Sequence, residues 1–300
     1  MKLLITGATG LIGREIVRQC REAGISVHYL TTRKEKIENS AAYKGFYWNL
    51  DAGEIDKAAF KGVTAIIHLA GATVAERWTK SYKKEILESR IRSADLIYKT
   101  LNGIDHTIAH FISASGISIY PASETKLYTE ESDEVDASFL AEVVRAWENG
   151  ANQFSKIGID VALVRTGVVL AKNDGALPKL VRLIKLGLGA PIGNGEQWQS
   201  WVHVEDIAGI YLFILKKQLD GIFNGVSPSP VTNKKLTKDL ANYLGASLWL
   251  PNVPGFALKL LMGEMAILAL EGQLVSCKKI QENGFIFRFS NLESALKDLL

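Results

Sequence analysis

The order of apolar and polar positions divides the chain into short strands and amphipathic helices. Residues 2–6, 26–31, 45–48, 65–69, 111–113 and 160–165 are brief β-branched or aromatic runs of the kind that fill buried strands. Between them, apolar residues recur at helical spacing. Ile12, Ile16, Val17 and Cys20 form one stripe, Ile86, Ile91, Leu96 and Ile97 a looser second, and Phe139, Val143, Val144 and Trp147 a third. Strands alternating with helices predict a parallel sheet covered on both faces, because parallel strands need a long crossover and the crossover is a helix.

The alternation weakens after Leu170. Glycines crowd residues 187–195, which reads as loop, and a further strand is expected at 221–226, before Ser227-Pro228-Ser229-Pro230. Helical stretches follow at 232–244 and 256–270, then an aromatic run, Phe285-Ile286-Phe287-Arg288-Phe289. The expected fold is α/β, a Rossmann-type doubly wound parallel sheet with a smaller α+β C-terminal lobe. The sheet domain is expected to take residues 1–170 and about 200–227, and the lobe 171–199 and 228–300. No Pro- or Ser-rich linker separates them, so the two are expected to pack together.

Composition narrows the function classes. With 47% hydrophobic and 22% charged residues over 300 positions, the chain is globular rather than disordered or low in complexity. A net charge of +3 is too small to call for nucleic acid or a charged membrane as partner. The stretch 256–270 carries Lys259 and Glu264, whereas a membrane span needs about 20 apolar residues. Cys20 and Cys277 lie far apart, so neither a disulfide framework nor a thiolate metal site is expected. His106 and His110 lack the Glu of a helical zinc motif, and no metal is expected there. The apolar run 3–5 is too short for a signal-peptide core, and a reducing, cytoplasmic setting is expected.

The strongest local motif is Thr6-Gly7-Ala8-Thr9-Gly10-Leu11-Ile12-Gly13, directly after the first strand and opening the first helix. The first glycine permits a tight turn, the second lets backbone approach a pyrophosphate, and the third lets helix and strand pack closely. The helix N-terminus then offers unpaired N–H groups and the positive end of its dipole. Dinucleotide binding follows. At the end of the second strand, an Asp or Glu would bond the ribose 2′-hydroxyl of NAD. Here Thr31-Thr32-Arg33-Lys34 stands instead. A guanidinium can grip a phosphate through two N–H groups, so NADP(H) is favoured over NAD(H).

These motifs resemble an extended short-chain dehydrogenase/reductase of the NAD(P)-dependent epimerase/dehydratase type. The glycine pattern carries the resemblance, with Ile67-His68-Leu69-Ala70-Gly71, Ser113-Ala114-Ser115 through Ile119-Tyr120-Pro121, Leu163-Val164-Arg165-Thr166-Gly167, and Trp201-Val202-His203-Val204-Glu205-Asp206. Arg77-Trp78, Ser89-Arg90, residues 139–148, Gly193-Asn194-Gly195 through Trp201, and 256–272 resemble one epimerase-like branch that ends in a small domain of unknown function. The resemblance covers nearly the whole chain. It implies cofactor contacts from Gly7, Thr9, Gly10, Leu11, Ile12, Gly13, Thr32, Arg33, Leu69, Ala70, Gly71, Arg90 and Arg165. It also implies an oxidoreductase or epimerase acting on a carbonyl or sugar-nucleotide substrate, and pairing of two copies through the 139–154 helix.

The resemblance fails at its chemical centre. Such enzymes generally use a Tyr and a Lys four residues later on one helix, yet none of the nine tyrosines here has Lys at that spacing. If Glu148 marks the usual late acidic position, Leu140 and Val144 stand in their places. Ser115 keeps the role of hydroxyl donor to a substrate carbonyl, although an ungapped match through Tyr120 puts Gly116 there instead. Tyr120, Glu142, Arg145, Glu148 and His203 are candidate proton carriers. Each also has a plainer reading: a packed ring for Tyr120, a surface ion pair for Arg145 and Glu148, a cap for His203. Trp198 and Trp201 read equally as substrate-stacking rings or as core. A non-catalytic NADP(H)-dependent sensor or scaffold is the alternative that the missing pair favours.

Overall fold

The computed structural model describes all 300 residues. From the N-terminus the elements run β1 (Lys2–Thr6), α1 (Leu11–Glu22), β2 (Ser26–Thr31), β3 (Tyr43–Asn49), β4 (Glu54–Ile55), β5 (Ala65–His68), α2 (Lys80–Leu101) and β6 (His110–Gly116). They continue with β7 (Leu127–Tyr128), α3 (Phe139–Asn152), β8 (Asp160–Thr166), β9 (Val168–Leu170), α4 (Leu177–Lys185), β10 (Trp198–Gln199), β11 (Trp201–His203), α5 (Val204–Lys217) and β12 (Gly221–Gly225). The last part holds β13 (Val231–Thr232), α6 (Asn233–Tyr243), α7 (Gly255–Met262), α8 (Ile267–Leu270), β14 (Leu274–Val275), α9 (Lys278–Glu282) and α10 (Leu292–Leu299).

Eight strands join in the order β12-β8-β6-β5-β1-β2-β3-β4. All neighbours run parallel except β4, which is antiparallel to β3. The chain winds outward from β1 in both directions, so the order reverses between β1 and β5. A crevice opens beyond the carboxyl ends of the strands at such a reversal. The fold is therefore the doubly wound α/β sheet that the strand–helix alternation predicts.

Side-chain alternation sorts the two faces. Leu3 and Ile5 point to the face covered by α1 and α5, where they meet Ile16, Val17, Ile207, Ile210 and Ile214. Leu4, Ile66, Phe111 and Leu163 point to the other face and pack with Ile97, Leu101 and Phe154 of the α2–α3 side. There Phe111 and Phe154 stack with ring centroids 3.8 Å apart. The α1 stripe of Ile16, Val17 and Cys20 is buried, while Arg18 pairs with Glu15 and Glu22 on the outer surface. The helix stops at Gly24, whose φ of +65° suits glycine.

A third core builds the lobe from Leu177 and Ile184 of α4, Leu236 and Leu240 of α6, and Leu292, Leu296 and Leu299 of α10, closed by Trp201. The stretch 256–270 is not one helix. Gly263, with φ of +63°, breaks it into α7, a tight turn at Gly263–Ala266, and α8. The aromatic run near the end forms no strand, because the N–H groups of Arg288 and Phe289 donate to the Asp206 carboxylate at 2.8 and 3.0 Å. The tail also leaves the lobe before returning to it. β14 pairs with β7, and Val275, Cys277 and Ile280 pack into the core beneath the sheet, before α10 rejoins the lobe.

His203 caps α5, its Nδ1 accepting the Glu205 N–H at 3.1 Å, and its ring stacks on Phe289. Burial pushes its pKa down to about 4. An unfolded imidazole takes its proton near pH 6.5 and the folded one only near 4, so the unfolded state binds more protons in that window. Stability is expected to be full above that window and to fall as the pH drops through it. His203→Asn keeps a capping side chain, and urea unfolding at about pH 7 and about pH 5 should show a smaller loss in that variant than in the parent.

Candidate active site

The glycine turn sits in the crevice between β1 and β5. Gly7 adopts φ of +71°, and a Cβ on it would stand 3.1 Å from the Leu69 backbone. A Cβ on Gly13 would lie 2.2 Å from the Gly7 carbonyl oxygen, so α1 can start this close to the turn only with glycine there. The Thr6 hydroxyl accepts the N–H groups of Leu69 and Ala70, both at 3.1 Å, which locks the end of β5 to the turn. Gly10 is the first cap of α1, with no side-chain cap and no acidic residue in the first turn. An added Cβ at Gly7 or Gly13 would run into backbone, so the glycines let α1 start against the turn with its first N–H groups at the crevice, an arrangement suited to an anion. Thr9 belongs to the same turn, Leu11 and Ile12 open α1, and Gly71 follows Leu69 and Ala70 in the chain.

The adenosine end is readable beyond β2 and β3. Thr32 borders a groove of about 650 Å³ with Trp48, Leu50, Asp51 and Arg92. Arg33 is exposed, and its backbone N–H donates to the Thr31 hydroxyl at 3.1 Å. Lys34 holds its ammonium 4.8 Å above the Tyr47 ring. Arg33 is thus an exposed residue next in the chain to Thr32, which lines the groove.

On the other side of the turn lies a cleft of about 270 Å³ between sheet and lobe. Leu140 and Val144 of α3 line it together with Trp147. The wall that would carry a phenol and an ammonium is therefore apolar. Ile267, Leu268 and Glu271 close the cleft from the lobe, and a Lys83–Glu264 ion pair ties that segment to α2. Burial raises the Glu271 pKa, and Asp136, also on the cleft wall, raises it further. Trp198 faces the cleft, whereas Trp201 is wholly buried in the lobe core, its indole N–H on the Ser229 carbonyl at 2.9 Å. The two tryptophans thus divide between the two readings of the sequence.

Ser115 and Tyr120 are not brought to the cleft; Gly116 borders it. Ser115 lies opposite Arg165 in the β6–β8 register, so both side chains point to the face under α3. There the Ser115 hydroxyl donates to Glu148 at 2.6 Å. Arg165 grips the same carboxylate with Nε at 2.8 Å and Nη2 at 3.0 Å, and its Nη1 donates to the Tyr120 hydroxyl at 2.9 Å. That hydroxyl in turn donates to Asn224 Oδ1 at 2.9 Å, and Tyr120 is fully buried. Burial raises the Tyr120 pKa against the pull of Arg165, so it is a poor base. The expectation of a surface pair between Arg145 and Glu148 is corrected: Arg145 is exposed, and Glu148 is buried on Arg165. The physical reason is the inward turn of Glu148, whose carboxylate faces the sheet rather than solvent. Arg165, expected at the cofactor, spends its donors inside this network.

Sequence reasoning did not single out the Glu148–Arg165 pair, Asp136 or Glu271. A signal existed only for the first, since Glu148 follows Val144 by four residues and shares its helix face. No group of three or more His, Cys, Asp or Glu is arranged to hold a metal ion.

The comparisons with known proteins give the family. The model of the NAD dependent epimerase/dehydratase family matches residues 3–224, and a domain of unknown function, DUF1731, matches 253–299. An Arabidopsis thaliana protein described as an epimerase family protein SDR39U1 homolog, chloroplastic, is 37% identical over 100% of this chain and 87% of its own length. The crystal structure of human epimerase family protein SDR39U1 with NADPH has a TM-score of 0.86 at 28% identity, covering 100% of this chain and 99% of that one. A nucleoside-diphosphate sugar epimerase from Corynebacterium glutamicum has a TM-score of 0.79 at 29% identity, covering 99% of this chain and 57% of that one.

Glu148→Ala strands a buried guanidinium and should cost about 3–5 kcal/mol in urea unfolding. The double change Glu148→Leu with Arg165→Met removes both charges and should recover most of that loss.

Proposed function

The chain belongs to the NAD dependent epimerase/dehydratase family, and from that premise we propose that it is an NADP(H)-dependent oxidoreductase or epimerase acting on a carbonyl substrate. The observation that carries the proposal is the continuity of the site. Along the carboxyl edge of the sheet the Arg33 surface after β2, the glycine turn after β1 and the cleft beyond β6 and β8 follow one another, as the parts of one dinucleotide would. The human relative bound to NADPH supports the choice of the phosphorylated cofactor.

When bound, NADP(H) supplies or receives a hydride. The residues of this chain do the rest. The N–H groups of Leu11–Gly13 would hold the diphosphate, the backbone at Leu69–Gly71 would border it, and Thr32 and Arg33 would receive the 2′-phosphate. Leu140, Val144 and Trp147 keep water from the reacting face. The Ser115–Glu148–Arg165–Tyr120 network stiffens the floor beneath, which makes these four positioning residues. Glu271 is the proposed proton donor at the cleft: it is exposed but partly desolvated, and Asp136 raises its pKa while Lys259 lowers it. A proton from its carboxyl oxygen to the substrate oxygen would complete a reduction. Burial raises the thiols of Cys20 and Cys277 to about 12 and about 11, which keeps them protonated and outside the proposed chemistry.

The second reading is a sensor or scaffold that binds NADP(H) without turnover, favoured by the apolar Leu140 and Val144. A screen of carbonyl compounds and nucleotide sugars, followed by loss of NADPH absorbance, separates the two. Tight NADPH binding with no oxidation by any compound would decide for the sensor. For the cofactor itself, Arg33→Asp should lower the NADPH:NADH affinity ratio by about tenfold or more, measured by fluorescence titration. Tighter NADH than NADPH binding in the unaltered protein would sink the NADP assignment.

A further inference from the structure

Arg90 enters the cleft from α2 and carries a charge that nothing nearby balances. The residue is only 7% exposed. Its hydrogen bonds both run from Nη1, to the carbonyl oxygens of Ala72 at 3.1 Å and Ile86 at 2.8 Å. Nε is buried without a partner. The guanidinium lies 4.6 Å over the Trp147 ring, and its carbon is 2.9 Å from where a Cβ on Gly71 would stand. It is thus wedged between the rim of the glycine turn and the wall of the cleft, which it also lines. The carboxylates of the cleft, Asp136 and Glu271, do not pair with it. Burial lowers its pKa to about 10, and Tyr82 is the neighbour that pulls the other way.

Arg165 shows how this fold treats a buried guanidinium when it serves structure alone: Glu148 meets it with both oxygens. Arg90 has no such partner. An unpaired buried charge destabilises a fold, so its retention points to a ligand that neutralises it. The cleft around it is mostly apolar in surface, with Ser118, Ser138, Gln199 and Gln273 as polar lining, and at about 270 Å³ it is small for a ligand site. A nucleotide sugar would need more room.

We propose that Arg90 is an anion receptor, and that it takes the carboxylate or phosphate of a compact, mostly apolar ligand seated against Val144 and Trp147. The proposal deepens the reading of this cleft as the ligand site and depends on it, though not on turnover. The same chemistry could be met by the cofactor diphosphate lying along the glycine turn, and the experiment has an arm for each source.

The test uses the full chain with Arg90→Met and Arg90→Lys. Calorimetric titrations are run with NADPH, and with phenylpyruvate and its uncharged counterpart phenylacetone in saturating NADP. In Arg90→Met, affinity for phenylpyruvate should fall by about tenfold or more, with phenylacetone unchanged and Arg90→Lys in between. A fall for phenylpyruvate alone supports the proposal, and a fall for NADPH alone overturns it, because the charge then serves the cofactor. A second readout separates receptor from scaffold. Removing an uncompensated charge should leave the ligand-free melt cooperative and raise its midpoint, whereas removing a structural residue would lower it. If Arg90→Met binds NADPH and phenylpyruvate as the parent does, including the case where neither protein binds phenylpyruvate, the proposal is overturned. Because binding is measured, the outcome is decisive even for a parent that never oxidises NADPH.

Discussion

The arrangement of this molecule depends on how closely α1 can approach the end of β1. The Gly7 carbonyl occupies space that any side chain at Gly13 would need, and Gly7 itself lies against the backbone of Leu69. Three backbones therefore meet where other folds would insert side chains. That contact fixes the angle at which α1 leaves the sheet. It also brings the first turn of the helix, with its unbonded N–H groups, to the reversal of strand order between β1 and β5. The diphosphate cradle and the packing of the first βα unit are one steric solution.

A second constraint operates under α3. Where related enzymes are expected to present a phenol and an ammonium to the ligand, this helix presents Leu140 and Val144, and its charged residue on the same face, Glu148, is turned inward. The carboxylate is held by Arg165 and Ser115, and the chain of donors runs on through Tyr120 to Asn224. Every polar atom named in that chain has a partner, so the network can be buried without the penalty of an orphaned group. On this wall of the cleft polarity has moved to the layer beneath, while Arg90, Asp136 and Glu271 remain on its other sides.

The sheet was legible in the sequence because its signals are local. A buried strand of four to seven residues announces itself by composition, and the Gly7–Gly13 turn by a spacing that few other structures require. The cleft was less legible because its parts are distant in the chain. Glu148 and Arg165 become partners only through the β6–β8 register, and Ser115 proves to be inward-facing for the same reason. An exposed ion pair between Arg145 and Glu148 was as natural on helical spacing alone. The aromatic run near the C-terminus had the composition of a strand, but the Asp206 carboxylate takes the N–H groups that a ladder would need, a competition no local pattern reveals. Likewise, apolar spacing carried 256–270 as one helix, and only the left-handed Gly263 divides it.

The path of the tail bears on how the molecule is assembled. Val275, Cys277 and Ile280 complete a core whose other members begin at Leu3. The strand that positions them, β14, pairs with β7 in the first half of the chain. During synthesis the sheet thus emerges early yet lacks part of its underside until the last segment of the chain is made. The lobe, whose final helix follows still later, cannot be finished before the sheet is. All eight strands of the sheet are therefore made before Val275, Cys277 and Ile280 can take their places in its core.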